Sequence, residues 1–186
     1  MPPKARYTRE EISEAAYELV RKYGKDFLTA RSLATALETS TAPIFTAFSS
    51  IDEVMESVKE RAYALYSEYI AEGLLEEIPF KASGLKYIQF AKDEPELFRL
   101  LFMGSPEKLP NGDFVPASDG NSSLVQSALE KSWGIDKERA KRIYNHLTIY
   151  CHGIAVFIVQ QSASFSDEDI GRMLSEVFYA LKGDTK

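Results

Sequence analysis

The sequence predicts an all-α fold: an N-terminal three-helix helix-turn-helix head, expected over 1–49, followed by a helical bundle over 50–186. Three observations predict it. Apolar residues recur at helical spacing in one segment after another, and no segment alternates convincingly as a strand does. Two short helical patterns flank a tight polar break at Glu38-Thr39-Ser40. A Ser-x-x-Glu start signal, Ser50 to Glu53, then opens a much longer helix.

Taken in order, Thr8 and Glu11 form a candidate capping box. Ile12, Ala15, Ala16, Leu19, Val20 and Tyr23 follow on one face of a helix that stops at Gly24. Thr29 is placed to cap a second helix whose inward face is Leu33, Ala34 and Leu37. Ser40 is placed to cap a third, with Pro43 in its first turn and Ile44, Phe45 and Phe48 as apolar anchors. Helices this short are unstable alone, so they must share a small core. From Ser50 the pattern runs to about Glu77, roughly 40 Å of helix at 1.5 Å per residue, and Pro79 is read as its stop. Leu85 to Lys92 and Pro95 to Met103 read as two further helices. Gly104 to Asn121, rich in Pro, Gly, Asp and Ser, reads as a mobile loop. Helices resume at Ser122 to Trp133 and at Asp136 to about Gln161. A last one, capped by Ser166, carries Ile170, Met173, Leu174, Val177, Phe178 and Leu181 on one face.

Composition narrows the function classes. The chain has 186 residues, an apolar fraction of 45% and intermixed charges, which supports a packed core and argues against disorder. A single cysteine, Cys151, forms no internal disulfide, and the first residues carry no apolar signal core; a cytoplasmic setting is expected. The longest apolar-rich run, 147–159, is shorter than the ~18 residues that span a bilayer, so no membrane partner is expected. The net charge of -6 is unevenly spread: residues 1–49 hold seven basic against six acidic side chains, leaving the remainder acidic.

Between Asp136 and Gln161, Ile143, Leu147, Tyr150, Ile154 and Phe157 form one stripe, while Ile149, Val156 and Val159 lie outside it. A helix apolar on most sides needs cover on more than one side. Either it is central to a monomeric bundle, or a second copy supplies part of the cover. The second reading predicts a homodimer packed through Ile154, Phe157, Ile158, Met173 and Val177, with Gly153 and Ala155 permitting close helix approach.

A helix, a short helix, a third helix with aromatic-x-x-Phe, and a capped long helix together suggest a DNA reader joined to a regulatory body. The Leu33-Ala34 pair, Ser40, Ile44-Phe45 and Phe48 resemble the corresponding positions of the TetR family of bacterial transcriptional regulators, over about residues 8–60. The segment from Pro95 to Phe102 and the His152-Gly153 pair are similar to ligand-domain segments of some members. The sequence departs from the family at Glu38 and Thr39 (usually Gly and an aliphatic residue), Phe45 (commonly Tyr), Ala47 (His or Tyr) and Ile51 (Lys).

The resemblance implies a ligand-responsive regulator, most often a repressor, that reads a double-stranded DNA operator. Thr41, Ala42 and Thr46 would face base edges in the major groove. Lys4, Arg6, Thr29, Arg31, Ser40 and Ser49 would hold phosphates. Phe45 belongs either to that surface or to the core of the head. A small hydrophobic or aromatic effector would enter the body among Tyr63, Tyr66, Tyr87, Phe90, Phe98, Phe102, Met103 and Trp133, with His152 as a ligand contact or a core histidine. The alternative is a dimeric ligand- or protein-binding module whose degenerate head binds DNA weakly. No cofactor or metal is expected: neither histidine sits in a Glu-x-x-His pair, no phosphate loop occurs, and Cys-His chemistry is poorly supplied. An enzyme is therefore not expected.

Overall fold

The computed structural model describes residues 7–104 and 120–183. Within them the protein is all-helical. The helices are α1 (Arg9–Tyr23), α2 (Ala30–Ala36), α3 (Ala42–Ala47), α4 (Ile51–Leu74), α5 (Pro79–Asp93), α6 (Pro95–Phe102), α7 (Gly120–Trp133), α8 (Lys137–Val159) and α9 (Asp167–Lys182). A 3-10 turn at Lys25–Phe27 joins α1 to α2. The loop expected between Gly104 and Asn121, and the Lys4/Arg6 arm, lie outside the described residues.

The chain divides into two compact units: residues 1–65 with 94–104, and residues 66–93 with 105–186. In the first, the predicted caps are built. The Thr8 hydroxyl accepts the Glu11 N–H while the Glu11 carboxylate accepts the Thr8 N–H, and Thr29 and Ser32 repeat the arrangement on α2. Ile12, Ala16, Val20, Leu33, Ile44, Phe48, Val54 and Val58 close the shared core. Each large side chain there contributes about 1.5–3 kcal/mol by leaving water. Gly24 ends α1 at φ 85°, and a Cβ there would stand 2.7 Å from Glu96 Oε2, so this glycine also admits α6. Arg21 fastens the same contact. Its Nε and Nη2 donate to the buried Glu94 carboxylate at 2.8 and 2.5 Å, and that bonding holds the guanidinium protonated.

In the second unit, α5, α7, α8 and α9 pack with the end of α4 around Phe90, Ile88, Leu129, Ala140, Ala155, Ile170 and Leu174. Asp136 and Ser166 cap α8 and α9 as the sequence predicts. Pro79 differs from expectation. Rather than only stopping α4, which ends at Leu74, it is the first residue of α5, and Ile78 O accepts the Ala82 N–H at 3.0 Å. Proline lacks a donor that the first turn leaves unbonded anyway, so α5 starts six residues before the expected Leu85.

Candidate functional site

In the first unit, α3 is held to the core from one side and exposed on the other. Ile44 and Phe48 are buried, whereas Thr41, Ala42, Phe45 and Thr46 are exposed. Phe45, at 49% exposure, is therefore not a core anchor. The Thr46 hydroxyl donates to Ala42 O at 2.9 Å, which leaves its methyl and an accepting oxygen facing outward. Arg31, on the exposed side of α2, points a cation to the same solvent.

The turn before α3 is better made than Glu38 and Thr39 suggest. Thr39 N–H donates to Ala34 O at 2.9 Å and Glu38 N–H to Thr35 O at 3.1 Å, the paired bonds of a Schellman ending, with Glu38 at φ 48°. Ser40 does not cap α3. Thr41 holds that position in helical rather than extended conformation and makes no side-chain cap, and Pro43 in the first turn lacks one of the donors a cap would serve. Thr29 is engaged as the cap of α2. Ser49 is engaged too: its N–H and its hydroxyl both donate to Glu53 Oε2 at 2.6 Å. Arg9 completes that cluster, bonding Ala47 O and Glu53 Oε1 at 2.7 Å each and lying 3.9 Å over the Phe48 ring. These hydrogen bonds, from Ser49 first and then Arg9, lower the Glu53 carboxyl to about 2. Lys4 and Arg6 lie outside the described residues.

The second unit holds a cavity of about 60 Å³. It is lined by Tyr66 and Ile70 of α4, Phe80, Lys81, Ser83, Gly84 and Tyr87 of α5, and Asn121 and Val125 of α7. Tyr144, Leu147, Thr148 and Cys151 of α8 and Leu174 and Phe178 of α9 complete it. Burial raises the Cys151 thiol to about 12, so this part of the wall is neutral. Of the expected effector residues, Tyr66 and Tyr87 reach the cavity. His152 stands one layer out, its Nδ1 2.8 Å from the Tyr87 hydroxyl, and desolvation lowers its pKa, which keeps the ring uncharged. Trp133 borders it through Phe178 and Phe80, with ring centroids 4.3 and 6.4 Å away. Phe90 is wholly buried against Tyr66 and Tyr69.

Tyr63, Phe98, Phe102 and Met103 are not part of this cavity. They belong to the first unit, where Phe102 packs edge-on to Tyr63 and tilted on Phe98. The sequence reading missed Phe80, Lys81, Tyr144, Thr148 and Phe178, among others. The one available signal for Lys81 was its place directly after the Pro79-Phe80 start of α5.

The residues expected at a subunit contact differ in exposure. Ile154 is 4% exposed, its surface covered inside the protomer. Phe157 is 52% exposed and Ile149 55%, with Ile158, Met173 and Val177 half-buried.

No protein-family model matches the chain, and no curated protein matches it. A solved structure does. A TetR variant from Acinetobacter baumannii AYE, crystallised in complex with minocycline, is 18% identical, with 96% of this chain and 98% of that one covered at a TM-score of 0.63. The chain therefore has a TetR-like, all-helical fold.

Proposed function

We propose that the protein is a ligand-responsive, dimeric DNA-binding regulator of transcription that acts as a repressor, its head reading an operator and the cavity of its second unit taking a small apolar effector. The outward face of α3 carries this reading. Thr41, Ala42, Phe45 and Thr46 are exposed while Ile44 and Phe48 hold the helix to the head. A helix kept from below with small and hydroxyl side chains above suits base edges and thymine methyls. The minocycline bound by the neighbouring TetR is that protein's ligand; here it supports an effector role for the second unit.

The test is an electrophoretic mobility shift with DNA from the protein's own promoter region at two salt concentrations. Sequence-selective binding that weakens steeply with salt is expected, since phosphate contacts release counterions. Thr41→Ala should narrow the gap between operator and random DNA by about 1–3 kcal/mol per lost base contact, with the helical spectrum unchanged. Unchanged selectivity removes Thr41 from the readout.

A dimeric ligand-binding module with a degenerate head is the second reading. The engagement of Ser49 by Glu53 favours it, because a phosphate there must displace a carboxylate. Absence of any shift at low salt would select it.

A further inference from the structure

We propose that the cavity of the second unit takes a short, unbranched alkyl carboxylate, its carboxylate on Lys81 and its chain against the stacked rings of Phe80 and Phe178. The proposal rests on the reading of this cavity as the effector site and adds the chemical class of the effector.

The sign of the ligand follows from the wall. Among the described residues, Lys81 is the one charged side chain lining the cavity, and none of them offers it a carboxylate. The other lysines of α5 are matched: Lys86 Nζ stands 2.6 Å from Glu72 and Lys92 Nζ 2.5 Å from Asp167. Lys81 has no carboxylate partner among the described residues, although it is half-buried. A partly desolvated ammonium without a counter-charge favours an anionic group delivered from solvent, and a charge-assisted bond is the stronger kind.

The shape follows from volume. About 60 Å³ is well below the ~150 Å³ that accommodates a benzene ring, so the space holds only a few non-hydrogen atoms and the chain must be short. The remaining wall is largely apolar and aromatic, suited to methylenes. Fused-ring compounds would require the cavity to open.

The single tryptophan provides the readout, since Trp133 packs on both Phe80 and Phe178. Propionate, propionamide and propylamine would be titrated into the protein while tryptophan emission is followed. Propionate should bind about tenfold more tightly than the amide, and the amine should not compete. Lys81→Met keeps the apolar stem and should bring the acid-to-amide ratio to about one, with the helical spectrum retained. Lys81→Arg should retain the preference. Equal binding of acid and amide, or a preference that survives Lys81→Met, overturns the anionic class and leaves the cavity reading standing. Failure of all three compounds to perturb Trp133 or to change promoter binding overturns both.

Discussion

Glu38 is the residue at which the head departs furthest from a comfortable backbone. Its φ of 48° closes the paired bonds to Thr35 and Ala34 that end α2 and launch α3, and a side chain there crowds the following carbonyl. Glycine occupies this region without that penalty, though it also gains freedom when unfolded. Glu38→Gly should therefore stabilise the protein by about 0.5 kcal/mol net, raising the midpoint of thermal unfolding by about 2 °C. The same change removes an exposed negative charge beside α3, so promoter affinity should rise with it, more at low salt than at high. A fall in the unfolding midpoint would show that the left-handed turn is not strained, and that Glu38 makes a favourable contact in the turn.

Among the elements, the junction of α3 and α4 is held by one polar cluster, with Arg9 of α1 and Ser49 converging on Glu53. Its pH dependence has a definite sign. The carboxyl is depressed from 4.5 to about 2 by the Ser49 hydrogen bonds and then by Arg9. Its contribution to stability is therefore complete above pH ~4.5 and is lost as pH falls toward about 2. Acid unfolding of Glu53→Gln should show the variant less stable than the parent near neutrality, with the difference vanishing across that window. A difference that persists at low pH would assign the effect to packing, not charge. Sequence made most of these elements legible because caps and apolar spacing are local: the Thr8–Glu11 box, the Thr29 cap, and the starts at Asp136 and Ser166 stand where their residues imply. Pro79 misled because the same chemistry serves a helix stop and a helix start. The outward face of α3 was readable from Ile44 and Phe48, one turn apart. The cavity was not, because its wall is assembled from five helices and no single periodicity marks Lys81, Thr148 or Phe178.

At the scale of the whole molecule, the proposed reading of two half-sites needs two copies, with recognition helices about 34–36 Å apart. The surface best suited to joining them is on α8. Ile149, Gly153 and Phe157 follow one another at four-residue spacing, hence on one face, and the two apolar members are half-exposed or more. A Cβ placed on Gly153 would meet no atom within 4 Å, so the glycine answers to nothing inside its own protomer. A small residue between two exposed apolar side chains permits two helices to approach closely. Gly153→Leu then separates folding from assembly. The folded protomer has room for the side chain, and its helical spectrum should be unchanged, whereas the close approach is blocked. Sedimentation should show a dimer for the parent, and monomer or a concentration-dependent mixture for Gly153→Leu and for the Ile149→Asp, Phe157→Asp double variant. Promoter affinity should fall in both, since one head alone keeps only half of the phosphate contacts. A tight dimer in both variants would move the subunit contact off this face of α8. An unaltered promoter complex from a proven monomer would instead mean that one head suffices for recognition.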